Sequence, residues 1–193
     1  MRIHGEKNIA RRIPVEKRSP YTEYMDILRE DFGGVCGYCG KSEYVTKNAF
    51  EIDHFIPRKY APELVDEYTN LVYSCYECNR KKASKWLSKD PNIQFVDGKG
   101  FVDPASGEYD RHLERDRQGN IVGKTPAGEY MVHKGFGFDK RPMREIYKAM
   151  MLISKKKQLR EKMKSISGEE LKEYLEADEL LEHLQRLLFE GKE

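Results

Sequence analysis

Two Cys-x-x-Cys pairs, Cys36/Cys39 and Cys75/Cys78, hold all four cysteines of this 193-residue chain and bracket an Asp-His dipeptide at Asp53-His54. Four thiols in two close pairs match the donor set of one tetrahedral metal centre, which would tie together the two ends of the segment between them. The flank Val35-Cys36-Gly37-Tyr38-Cys39-Gly40 reads as a tight knuckle, its glycines freeing the backbone to aim two sulfurs at one ion. The second pair runs into Asn79-Arg80-Lys81-Lys82-Ala83-Ser84-Lys85-Trp86, which reads as a short helix. A knuckle facing a helix N-terminus predicts structural zinc on Cys36, Cys39, Cys75 and Cys78, in a treble-clef-like arrangement. The competing reading is two disulfides. Met1-Arg2-Ile3-His4-Gly5-Glu6 lacks the apolar core of a secretory leader, so a cytoplasmic setting is expected, and reducing compartments disfavour disulfides.

The span between the pairs is too long for a simple ribbon and must form an element of its own. Phe50-Glu51-Ile52-Asp53-His54-Phe55-Ile56 alternates as a half-buried strand ended by Pro57, and Asn70-Leu71-Val72-Tyr73-Ser74 reads as a second strand after a loop. Strand, loop, strand, helix is a ββα unit. His54 to Asn70 is sixteen positions and Asn70 to Asn79 is nine. On Cys36, Cys39, Asp53, His54, Pro57, Asn70, Leu71, Cys75, Cys78, Asn79 and Lys82, residues 33–87 resemble the HNH nucleases, in the zinc-bearing four-cysteine branch of the ββα-metal fold.

The residue types carry matching chemistry. Phosphodiester hydrolysis needs an activated water, a counter-charge for the phosphate and help for the leaving oxygen. His54 is the natural base, since imidazole titrates near neutrality unaided. Asp53, its strand neighbour, points to the opposite side. The Asp53 carboxylate and the Asn79 side-chain oxygen are hard ligands suited to Mg2+ or Mn2+. The resemblance implies that Asn70 fixes the loop and orients the base through a backbone carbonyl, and Lys82 is expected near the phosphates. Each residue also has a plainer reading: Asp-His as a hydrogen-bonded pair, Asn70 as a turn residue, Asn79 as a helix cap, and the lysines as a solvated helix face. Some family members carry a second imidazole where this chain has Ala83. His4, His112, His133 and His183 show no ligand spacing and read as surface or local hydrogen-bonding residues.

Charge sharpens the picture. Against a net charge of +2, residues 165–193 carry nine acidic and three basic side chains, which leaves about +8 on residues 1–164 and suits a polyanion-binding body. No apolar run is long enough for a membrane span. The α+β chain divides as an N-terminal arm and helix (1–32), the HNH ββα-metal finger (33–90), an accessory β and loop region (91–138) and a C-terminal helical region (139–193). Ser19-Pro20 is expected to open a helix whose stripe is Tyr21, Tyr24, Met25, Leu28 and Phe32, packed on the finger. Arg11-Arg12 and Lys17-Arg18 read as an arm along nucleic acid or as a solvated lead-in. Pro142 opens a long helix with Met143, Ile146, Met150 and Ile153 on one face, and Ser167 to Glu170 is a capping box for a last helix. That helix carries a broad stripe of Leu171, Tyr174, Leu175, Leu181, Leu184 and Leu188, for self-packing or for a partner.

The expectation is a metal-dependent HNH endonuclease acting on nucleic acid, with DNA favoured because the family mostly cuts DNA. A non-catalytic zinc module binding nucleic acid or a protein is the alternative. No reader for a specific sequence is evident. Residues Phe101 to Pro104 and Glu108 to Leu113 resemble an accessory region of bacterial mobile-element and defence HNH proteins. The resemblance to Septu-type anti-phage organisation implies a nuclease subunit with an ATPase partner.

Overall fold

Glycine and proline set most of the element boundaries. A 3-10 turn, Tyr21–Tyr24, runs into helix α1, Met25–Asp31, which stops at Gly33 and Gly34, both at positive φ. The structure is a computed structural model that describes residues 1–46, 49–162 and 167–189. Tyr24, Leu28 and Phe32 of the α1 stripe are buried, and α1 packs on the strand that leads to the second cysteine pair. The cap differs from expectation. Ser19 does not cap the helix; its hydroxyl donates to Asp66, and the other Asp66 oxygen accepts the Tyr21 N–H at 2.7 Å. A carboxylate has acceptors enough for both, so the loop before the second strand caps the helix.

The finger is a hairpin followed by a helix. Strand β1, Phe50–His54, pairs antiparallel with β2, Leu71–Cys75, with Phe50 opposite Cys75 and His54 opposite Leu71. β1 ends two residues before Ile56, because the Ile56 N–H turns to the Asn70 side chain. Helix α2, Tyr76–Lys82, starts before the predicted Asn79, with Cys75 as its N-cap in extended conformation and Cys78 in its first turn. It ends at Ala83, which sits at φ 47° and ψ −131°.

Residues 91–138 carry the expected small β pieces together with short helices. They contain hairpins β3 (Phe95–Val96)/β4 (Lys99–Gly100) and β5 (Leu113–Arg115)/β6 (Ile121–Gly123). They also contain helices α3 (Tyr109–His112) and α4 (Pro126–Tyr130), the latter continued by a π turn, Met131–Gly135. Phe101, Val102, Tyr109, Leu113, Met131 and Phe136 share one buried cluster with Phe32, Tyr38, Leu71 and Val72 of the α1 and finger region. The segment is mixed in structure and closes the core around the finger. The aromatic side chains scattered along it have nowhere else to be buried.

The N-terminal basic residues are tied down. Arg11 forks onto Asp103 with 2.8 and 3.1 Å bonds and reaches the Leu71 carbonyl, and Arg12 holds Asp31 and Glu30. Lys17 pairs with Glu67 and Arg18 donates to the Glu23 carbonyl. Neither reading, free arm or solvated lead-in, describes Arg11: a bidentate guanidinium–carboxylate pair is a rigid strut. His4 is likewise buried, its Nε2 2.6 Å from the Gly37 carbonyl under the knuckle.

Helices α5, Met143–Glu161, and α6, Gly168–Phe189, pack against each other. The capping box forms as expected: Glu170 accepts from the Ser167 N–H and Ser167 Oγ accepts from the Glu170 N–H. Leu181 and Leu184 form a small second cluster with Ala149 of α5 and with Val45, and Ala177 is also buried, while Leu171, Leu175, Leu180 and Leu187 remain about half exposed. The basic run of α5 answers the acidity of α6, with Lys155 on Glu173 at 3.0 Å and Lys156 on Asp178. Among the described residues, no helix is long and apolar enough to cross a membrane.

Candidate active site and metal centre

The four cysteines converge. All are buried and unpaired as disulfides, and one ligand atom from each lies within 4.8 Å of every other. Cys39 Sγ and Cys75 Sγ are 3.8 Å apart. A tetrahedron with Zn–S bonds of about 2.3 Å has edges of about 3.8 Å, so this pair already stands at zinc spacing. The knuckle owes its shape to close approach. Gly40 sits at φ +68° with the Ile3 carbonyl 2.3 Å from where a Cβ would be, and a Cβ on Gly37 would meet the Phe32 ring at 2.7 Å. Two cations, half-buried Arg141 and buried Lys41, flank the four sulfurs. Arg141 Nη1 is 3.3 Å from Cys78 Sγ; burial disfavours its charge, yet the thiolate charges of Cys78, Cys39 and Cys75 hold its pKa above the ordinary value. Lys41 behaves alike beside Cys75 and Cys39 and also pairs with Glu77. These cations would offset the negative charge of four thiolates bound to one metal ion.

β1 presents its two neighbouring site residues to different surroundings. His54, 6% exposed, points to the loop side, where its Nε2 lies 2.9 Å from the Val65 carbonyl. A carbonyl only accepts, which assigns the ring proton to Nε2 and leaves the lone pair on Nδ1. Burial lowers the His54 pKa and the Val65 hydrogen bond offsets this only in part, so the imidazole stays below its ordinary value and neutral at pH 7. Tyr21 meets the ring edge-on, with centroids 4.7 Å apart. Asn70 holds the loop at both ends: it accepts from the Ile56 N–H and donates to the Ile56 and Leu64 carbonyls, which fixes Val65 beside the imidazole. An open cleft at His54 is lined also by Pro57, Arg58, Lys59, Ala83 and Ser84.

Asp53 points the other way. Its Oδ2 accepts from the Tyr38 hydroxyl at 2.6 Å and is ion-paired with the Lys82 ammonium at 3.0 Å. Burial first, then the Asp53 charge, raises the Tyr38 pKa and keeps that phenol a donor. Lys82 corrects the expected phosphate contact. It has no exposed surface, and its Nζ also donates to the His54 carbonyl at 2.6 Å, so it acts as a strut between α2 and β1 directly beneath the imidazole. Asn79 donates to Glu51 on the same strand face as Asp53. The two residues expected to share a hard cation therefore each have their own protein partner. Asp53 Oδ1 and Asn79 Oδ1 nonetheless carry no hydrogen bond among the described residues, and Asp53 Oδ1 is not a sealed orphan. Two oxygen donors, one of them anionic, fit the chemistry of a hard, exchangeable divalent ion.

Sequence reasoning missed several partners of this site. Glu51 was detectable as the residue two positions before Asp53, since strand periodicity places both on one face. Tyr38, Tyr21, Lys41 and Arg141 carry no comparable local signal.

Comparison with known proteins agrees with this geometry. Residues 36–85 match the family model for HNH endonuclease. A Septu protein PtuB of Bacillus thuringiensis is 36% identical over 66 residues, which is 34% of this chain and 26% of that protein. Another, from Bacillus mycoides, is 24% identical over 152 residues, 62% of this chain and 51% of that protein. Protein ea31 of Escherichia phage lambda is 33% identical over 81 residues, 42% and 26% of the respective lengths. The chain thus matches between a quarter and about half of the length of these curated relatives. No solved structure matches significantly.

Proposed function

With residues 36–85 forming an HNH endonuclease domain, we propose that this chain hydrolyses phosphodiester bonds of nucleic acid, DNA in the first place, with His54 as general base. The observation that carries the reading is the imidazole itself. It is held at Nε2 by Val65, has its pKa lowered by burial, carries no hydrogen bond at Nδ1 among the described residues, and lines an open cleft with Arg58 and Lys59. Nδ1 takes the proton from water as its oxygen attacks phosphorus, and the Val65 carbonyl stabilises the imidazolium that results. Asn70 and Lys82 are positioning residues, one setting the loop and the other the His54 backbone. A divalent cation of the Mg2+ or Mn2+ kind, held by the free oxygens of Asp53 and Asn79, would supply charge for the phosphate and the leaving oxygen. A zinc ion on Cys36, Cys39, Cys75 and Cys78 is structural in this reading, because four thiolates leave no open position.

The setting we infer is bacterial defence, in which this chain works in the cytoplasm with a partner such as an ATPase subunit. Two relatives are Septu proteins, and α6 keeps Leu171, Leu175, Leu180 and Leu187 exposed on an acidic helix. A non-catalytic zinc module would require none of the His54 bracing.

The test is plasmid cleavage with Mg2+ or Mn2+ by wild type and His54→Ala. The base contributes about 10²–10⁴ in rate, so the variant should be inactive on ordinary timescales while retaining zinc and melting temperature. Full activity in purified His54→Ala would reject the assignment.

A further inference from the structure

With Lys82 sealed inside the fold, the site as read from the sequence has no cation facing a phosphate. We propose that Arg58 and Lys59 form the phosphate-binding subsite of the His54 cleft, gripping the polynucleotide backbone beside the scissile bond. The inference rests on the nuclease reading for its substrate.

Three observations carry it. Both side chains are exposed and line the same cleft as His54, immediately after Pro57 fixes the chain direction. Neither forms a salt bridge among the described residues, whereas Arg11, Arg12, Lys17, Arg29, Lys41 and Lys82 are all spent on carboxylates. Lastly, each cation stands on an aromatic ring: Arg58 lies 5.9 Å from the Tyr21 centroid, and Lys59 lies 5.4 Å from that of Tyr60. Tyr21 is also the ring that abuts His54, and its own backbone N–H is fixed by Asp66. Arg58, Tyr21 and His54 therefore form one contiguous group, the guanidinium over the Tyr21 ring and that ring edge-on to the imidazole, which links the position of Arg58 to that of the base. A planar fork with five donors, resting on a ring and without a carboxylate, is suited to two oxygens of one phosphate.

Binding separates this proposal from cleavage. The probe is fluorescein-labelled duplex DNA, followed by anisotropy over a salt series in EDTA. The proteins are His54→Ala and His54→Ala/Arg58→Gln/Lys59→Gln, and a control removes the same charge elsewhere through the exposed Lys99→Gln/Lys140→Gln pair on the His54→Ala background. Each lost phosphate contact should weaken binding roughly tenfold. The slope of log K against log salt should fall by about one per cation. The control pair should change both much less. Restoring Arg58 as Lys should recover the salt slope and only part of the affinity, since a point charge replaces a fork. Equal losses in the Arg58/Lys59 and control variants, or unchanged binding in the former, would overturn the subsite. A wild type that binds with this dependence but never cleaves would reject the nuclease reading and leave the subsite standing. Absence of any binding by His54→Ala at low salt would remove both.

Discussion

Lys82→Met distinguishes the strut seen in the structure from the surface cation suggested by the sequence. In the wild type the ammonium is fully buried, 3.0 Å from Asp53 Oδ2 and 2.6 Å from the His54 carbonyl, with the Phe101 ring 5.8 Å away. Methionine keeps much of the stem but leaves the Asp53 carboxylate buried with Tyr38 as its remaining donor and the His54 carbonyl without its Lys82 donor. Breaking a buried pair in this way costs about 3–5 kcal/mol, whereas losing an exposed lysine costs about 0–1 kcal/mol. For a chain of this size each kcal/mol moves the melting point by about 2–4 °C, so the buried reading gives a fall of about 6–20 °C. The surface reading gives a few degrees at most. Differential scanning calorimetry measures the shift, and anisotropy with duplex DNA measures affinity on the still-folded protein. Asp53→Asn combined with Lys82→Met should cost less than the sum of the single variants, because the second change no longer strands a charge. A melting point within about 2 °C of wild type, coupled to a large loss of DNA affinity, would refute the strut and restore Lys82 to the phosphate.

Two further outcomes follow from local geometry. Elemental analysis should find one tightly held zinc per chain, and Cys75→Ser should lose both metal and finger, since structural zinc supplies roughly 10 kcal/mol or more in small modules; a folded, metal-free variant would contradict the site. Ala83→Gly should raise the melting point, by up to about 10 °C, because φ 47° with ψ −131° costs a residue with a Cβ about 1–3 kcal/mol, while glycine loses only about 0.5–1 kcal/mol in extra chain entropy. A lower melting point in that variant would show that Ala83 is unstrained.

What was legible in the sequence is what short-range rules control. The cysteine spacing predicted four sulfurs at one point, the alternation from Phe50 to Ile56 predicted a strand, found as Phe50–His54, and Ser167 to Glu170 predicted a helix cap, because each of these depends on residues a few positions apart. The partners of the site were not legible. Asp53 meets Lys82 across 29 positions and Tyr38 across 15, and Arg11 meets Asp103 across 92. Such pairs exist only once the hairpin, helix and accessory region have packed, and no local pattern announces them. The misreadings share this origin: Lys82 looked like a phosphate contact and Arg11 like an arm because their carboxylates were out of sequence view. Packing also decides which cations the net charge leaves available. The excess of about +8 on residues 1–164 already subtracts the carboxylates, so the ion pairs of Arg11, Arg12, Arg29, Lys41 and Lys82 take those particular cations out of use without lowering it. Affinity for a polyanion must then come from cations that folding leaves unpaired, and at His54 those are the two that follow Pro57.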